Sequence, residues 1–165
     1  MIQYNFDNNI LILKVKKSPF FVRVVLFFFS FAFFLFPLIG MILTITMRGR
    51  FYIGFLFVII LFGLFGFYLL RLSLWNTYGV ETIIFNKSTI RYEVNYGWFK
   101  DGKKEINLSD INYTIKTIGY EEDEIGTLII TNINNNKIES VVKIPKRQIE
   151  ELIEILKKEI NLNFI

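Results

Sequence analysis

Residues 20–70 read FFVRVVLFFFSFAFFLFPLIGMILTITMRGRFYIGFLFVIILFGLFGFYLL, and their only charges are Arg23, Arg48 and Arg50. A water-soluble domain of this size has no interior able to hide so continuous an apolar run, so its natural solvent is a bilayer. The run is also too long for one crossing. It divides at Thr46-Met47-Arg48-Gly49-Arg50 into segments over about 20–47 and 51–71. At about 1.5 Å per residue, each is long enough to cross a hydrocarbon core of about 30 Å. Arginines at the centre of a single helix carry a heavy penalty, whereas in a turn they reach the headgroups. The expectation is a two-helix transmembrane hairpin over residues 19–73, with Gly49 easing the turn. Pro37 predicts a kink in the first helix, and Gly54, Gly63 and Gly66 offer close approach on the second without forming a GxxxG motif.

Outside that run the composition removes chemistry. Histidine and cysteine are both absent from the 165 residues. Their absence takes away disulfides, thiolate nucleophiles, the usual zinc ligands and the common Ser/His and Cys/His pairs. No glycine-rich phosphate loop, nucleophile elbow or paired-carboxylate motif is present, so no catalytic residue, cofactor or metal is expected, and no enzyme activity. Charge is uneven: residues 1–79 hold seven Lys/Arg against one Asp, and residues 80–165 hold twelve against fourteen Asp/Glu. The sequence pI near 9.2 therefore reports membrane-flanking charge rather than a nucleic-acid surface. Transport through two helices with few polar groups is not expected either.

The flanks orient the hairpin. Lys14, Lys16, Lys17 and Arg23 precede the first span, and Arg71, Lys87 and Arg91 follow the second, against Arg48 and Arg50 in the turn. By the positive-inside rule both termini are expected in the cytoplasm of a cell-membrane protein. Arg23, Arg48, Arg50 and Arg71, with Trp75 and Tyr78, are the expected membrane-interface residues, and Gly79 marks the break into a soluble domain over 79–165. Residues 1–18 alternate apolar and polar about Asp7-Asn8-Asn9, a hairpin pattern expected to join the soluble sheet and close its edge. A signal peptide is not expected, because the apolar run starts near Phe20 and is far too long.

Six short strands are expected after Gly79: 81–85, 89–96, 103–108, 110–117, 127–133 and 137–144, with a turn around Asp101-Gly102, forming one antiparallel meander. The period then changes. Ile149, Leu152, Ile153, Leu156 and Ile160 share one face behind Pro145, with acids early and lysines late, predicting an amphipathic helix over 146–159 that caps the sheet. Trp98 and Phe99, at a strand end, are candidate partner-binding residues or a bilayer contact. The run Glu121-Glu122-Asp123-Glu124 lacks the spacing of a calcium loop and reads as a solvated loop.

This order resembles the bacterial membrane proteins that carry a pleckstrin-homology-like (PH-like) domain. The similar stretches are Tyr78-Gly79-Val80-Glu81-Thr82-Ile83-Ile84-Phe85, Ile106-Asn107-Leu108-Ser109-Asp110-Ile111 and the final helix. The resemblance implies a PH-like α+β fold and a membrane-anchored interaction module, whose partners are the bilayer and another membrane or membrane-associated protein. The alternative is a small structural or assembly subunit whose spans make the key contacts. Phosphoinositide-binding members of the fold converge several basic residues on the first strand turn. Here Asn86-Lys87-Ser88 supplies one lysine, with Arg91 beyond it. The layout and residues 150–165 are also similar, at a distance, to the two-span photosystem I assembly factor of chloroplasts and cyanobacteria.

Overall fold

A computed structural model describes residues 2–48 and 52–164. The chain forms two compact units, one of Lys17–Thr77 and one that joins Met1–Lys16 to Tyr78–Ile165.

The first unit holds α1 (Phe20–Arg48) and α2 (Gly54–Tyr78), both long and apolar enough to cross a membrane. They meet at a narrow seam. Ser30 Oγ donates to the Gly66 carbonyl at 3.0 Å, and a Cβ at Gly66 would lie 3.0 Å from the Phe34 ring, so glycine is what admits the ring there. The Phe33 ring sits 5.3 Å from that of Phe62. Gly54 and Gly63 have nothing within 4 Å of an added Cβ, so of the three glycines only Gly66 serves close approach. The connecting residues Gly49 and Arg50 lie outside the described residues. The second helix runs past the apolar segment to Tyr78 instead of ending near 71. In its polar tail Ser73, Asn76 and Thr77 turn inward along the helix and donate side-chain hydrogen bonds to carbonyls four residues back, at 2.7–2.9 Å.

The second unit is antiparallel throughout. β1 (Tyr4–Asp7), β2 (Ile10–Lys14), β3 (Val80–Phe85), β4 (Thr89–Asn95) and β5 (Lys100–Asn107) form one sheet in that order. The Asn8-Asn9 connection has φ of 49° and 61°, the left-handed pair that a two-residue hairpin requires and asparagine tolerates. β6 (Asn112–Thr117), β7 (Ile125–Thr131), β8 (Lys137–Glu139) and β9 (Ile144–Pro145) form a second sheet, with β8 and β9 both on β7. The strands thus fall in two sheets rather than one meander, and the break lies at residues 108–111, where Asp110 has φ +43°.

Two further expectations are corrected. The turn after β4 lies at Tyr96–Phe99, not at Asp101-Gly102: Tyr96 N donates to Phe99 O at 2.9 Å, and Asn95 Oδ1 accepts from Gly97 N at 2.8 Å. Gly102, at φ +65°, instead forms a bulge inside β5, where the register against β4 shifts between Tyr92 and Val94. The strand expected over 137–144 breaks after Glu139, for a reason given below.

α3 (Lys146–Phe164) packs against β6, β7 and β9. Ile149, Leu152 and Leu156 are fully buried with Leu128, Ile130, Ile138 and Ile144. Ile153, at the margin of the apolar face, is only half-buried. On the first sheet the inward set is Leu11, Leu13, Ile83, Phe85, Ile90 and Tyr92.

Candidate interaction surfaces

β3 alternates, and its inward residues are Glu81, Ile83 and Phe85. Glu81 is completely buried. Its Oε1 accepts from Tyr92 Oη at 2.9 Å, from Val141 N at 2.6 Å and from Val142 N at 3.2 Å, and its Oε2 accepts from Ser140 Oγ at 2.7 Å. These bonds interrupt the strand expected over 137–144, because amides that would extend the ladder turn to the carboxylate instead. Burial pushes the Glu81 carboxyl above its ordinary value, and the four donors, Ser140 first, pull against that. Burial, then the Glu81 charge, raises the Tyr92 hydroxyl as well. With four donors on its two oxygens, the carboxylate anchors the 140–142 loop to β3 and β4. Gln3 makes a second long-range tie: its Nε2 donates to Lys14 O and Lys143 O, and its backbone N donates to Gln148 Oε1. Sequence reasoning singled out neither residue. An acid at an inward position of an alternating strand was the available signal for Glu81; Gln3 had none.

The opposite face of the five-stranded sheet is apolar at its centre. Ile10 stands opposite Ile84, and Ile12 opposite Thr82, across the β2–β3 pair. Ile12, Val80, Thr82 and Ile84 are half-buried and Ile10 is exposed. Beyond them on β4 and β5 lies a charged border. Glu93 binds Lys100 at 2.7 Å and Lys103 at 3.6 Å, Arg91 faces Glu105 at 3.7 Å, and a shallow cleft of about 440 Å³ opens beside them. The hydrogen bond from Lys100 holds the Glu93 carboxyl below its ordinary value.

At the β4–β5 turn, Trp98 is 62% exposed, while Phe99 is half-buried and stacks on Tyr96 with centroids 4.8 Å apart and planes at 16°. The two aromatics singled out together therefore differ in role: Phe99 supports the turn and Trp98 tops it. Of the expected interface residues, Arg23 lies in the first turn of α1 with its guanidinium carbon 6.0 Å from the Phe20 ring centroid. Arg71 and Trp75 lie on α2, Tyr78 ends it half exposed, and Arg48 ends α1. Arg50 lies outside the described residues. In the acidic loop, Asp123 Oδ2 accepts from Tyr120 N at 3.2 Å, closing a short 3-10 turn over Glu121–Asp123. Among the described residues, no three acids converge to hold a metal ion.

Two helices able to span a bilayer, followed by antiparallel sheets and a C-terminal helix, define the class: they are consistent with a two-span membrane protein bearing a β-rich soluble unit. Comparison with protein-family models, curated proteins and solved structures finds no match to this chain.

Proposed function

We propose that this chain is a membrane-anchored protein-interaction module of PH-like architecture, with both termini in the cytoplasm. The observation that carries this reading is the outer face of the five-stranded sheet. Four aliphatic side chains, Ile10, Ile12, Val80 and Ile84, form a cross-strand patch beside the charged border of Arg91, Glu93 and Glu105. An apolar centre with a polar rim is the anatomy of a protein-docking surface. Strands in two antiparallel sheets with a helix on the second support the PH-like layout, to which the N-terminal hairpin adds two strands. Basic residues flanking the outer ends of the two spans support the orientation.

A second reading, an assembly subunit that works through its spans, is favoured by an open, largely apolar depression of about 670 Å³ lined by Leu43, Thr44, Met47, Tyr52, Phe55 and Val58. Its apolar lining suits contact with a partner's apolar side chains. One experiment discriminates the two: native gels of the detergent-extracted complex from cells expressing Ile12→Asp/Ile84→Asp or Val58→Trp. Loss of the complex only with the sheet-face pair supports the module; loss only with Val58→Trp supports the subunit; retention with both overturns the docking-face assignment.

A further inference from the structure

The outer strands of the two sheets differ in how far they are closed to a further strand. β1 spans four residues, and α3 runs beside it: Gln148 Oε1 accepts from Gln3 N at 3.1 Å, and Ile155 and Glu159 line a cleft with Phe6 and Asp7. β5 carries the Gly102 bulge and the exposed Lys103 and Lys104, features that blunt an edge. On the far side of β7, β8 is three residues long and β9 two. β6 has none of these protections. It runs six residues, Asn112–Thr117, without a register shift against β7, and its one charge, Lys116, is paired with Glu139. Ile118 N donates to Ile125 O at 3.0 Å and continues the ladder, so the bonds to β7 fall at Asn112, Thr114 and Lys116. The N–H and C=O groups of Tyr113, Ile115 and Thr117 therefore point away from β7, and among the described residues no hydrogen bond meets them. Thr114, Lys116 and Thr117 are exposed and Ile115 is half-buried, so this edge is accessible.

Such an edge is completed by a strand that mates its outward residues without opposing like charges, and β6 itself does this. A two-fold axis at Ile115 sets two copies antiparallel, with Ile115 opposite Ile115, Tyr113 opposite Thr117 and Thr114 opposite Lys116. All the outward residues then exchange both backbone bonds with the second copy. An axis at Lys116 would oppose two ammonium groups, and one at Thr114 would set Thr117 against Ile111, outside the strand, so both neighbouring registers are poorer. An edge whose only charge is already matched by Glu139 gives no preference to an acidic or a basic peptide. We propose that β6 pairs with β6 of a second copy of this chain, joining the two four-stranded sheets into one across a two-fold axis at Ile115. In the same register Thr117 of the second copy brings a hydroxyl to the face of the strand on which Tyr113 lies, whose Oη is buried without a partner. The inference goes beyond the protein-docking reading, which concerns the other sheet, and does not depend on it.

The chain has no cysteine, so introduced ones report pairing alone. Full-length Thr114→Cys and Lys116→Cys chains with different tags are co-expressed and mildly oxidised, in native membranes and after extraction into micelles. In the proposed register these positions form a non-hydrogen-bonded pair with Cα atoms about 4.5 Å apart, within disulfide reach. Two copies of Thr114→Cys alone leave their cysteines on a diagonal, roughly 7–8 Å apart and out of reach. A disulfide joining the two tags, with little in either variant alone, is the expected result. Thr117→Pro removes an outward N–H that β7 does not use. It should raise the dimer's dissociation constant by about tenfold, read by sedimentation in micelles, and leave the monomer's unfolding midpoint unchanged. A monomer that gives no mixed disulfide overturns the proposal, as does a dimer indifferent to Thr117→Pro. Efficient cross-linking of Thr114→Cys alone also overturns it, by moving the axis. So does a complex with another protein in native membranes that Thr117→Pro abolishes while no mixed disulfide forms, which would give the edge to a partner's strand.

Discussion

Glu81 shows how one residue couples distant parts of the chain. Its donors come from Tyr92 on the next strand and from residues 140–142, about sixty positions away. Removing the acceptor leaves Tyr92 Oη and Val142 N without their buried partner and Val141 N without a part-buried one, while Ser140 Oγ keeps the Val142 carbonyl at 3.3 Å; each buried donor left unpaired costs about 1–3 kcal/mol before relaxation. Glu81→Ala should therefore destabilise the soluble unit by about 2–5 kcal/mol in denaturant unfolding of the full chain in micelles. The pH dependence has a definite sign. Because its folded value is raised, Glu81 contributes stability that is fully present below the unfolded value of 4.5 and is lost as pH rises through the folded value. Glu93 and Glu139, held low by Lys100 and Lys116, act oppositely: their contribution is present above 4.5 and is lost as pH falls through their lowered values. Both are surface pairs, so salt should flatten that acid limb while leaving the Glu81 limb. In Glu81→Gln the decline above 4.5 should vanish; its persistence would assign the decline to another group. Little of this was visible in the sequence, because period two marks which residues point inward but not which remote amides will meet them.

At the scale of elements, legibility followed the range of the signal. The two apolar helices show in local hydropathy, and α3 in its period, with Ile149, Leu152 and Leu156 fully buried. Leu152→Ala or Leu156→Ala should cost about 2–5 kcal/mol through lost burial and a cavity. Glu151→Ala should cost less than about 0.5 kcal/mol, since its contact with Arg147 is a single exposed pair at 3.3 Å. Equal effects at Leu152 and Glu151 would mean that α3 does not hold the core. Turns were less legible because rival signals sat side by side. Asp101-Gly102 and Asn95-Tyr96-Gly97 both carry turn chemistry, and the Asx contact of Asn95 took the turn while Gly102 took the bulge. The division into two sheets rests on long-range pairing, which no short window of sequence contains. The candidate sheet-face patch was hidden for the same reason: Ile10 and Ile84 meet only once β2 and β3 pair.

For the whole molecule, the consequence is that the soluble unit is made from both ends of the chain. Residues 79–165 alone lack β2, whose Leu11 and Leu13 are fully buried, and leave β3 with an open edge. Leu11→Ala should therefore destabilise the unit by about 2–5 kcal/mol, although it lies far in sequence from the rest of the core. Equilibrium unfolding in micelles checks this, and an unchanged midpoint would detach the hairpin from the core. Two helices able to cross a membrane between Lys17 and Tyr78 are consistent with the pairing of β2 with β3, since two crossings return the chain to the side it left. The most direct measurement is a disulfide across β2 and β3 in intact membranes. Asn9 with Phe85 and Val15 with Gly79 carry ladder hydrogen bonds at 2.9 and 3.1 Å, so Ile12 and Thr82 form a non-hydrogen-bonded pair. Their Cα atoms are then about 4.5 Å apart, within disulfide reach. The chain has no cysteine of its own, so Ile12→Cys/Thr82→Cys gives an unambiguous readout. Rapid intramolecular cross-linking on mild oxidation, unaffected by dilution, is the expected result. Absence of the bond, with the two thiols reacting with impermeant maleimide from opposite faces of the membrane, would contradict it.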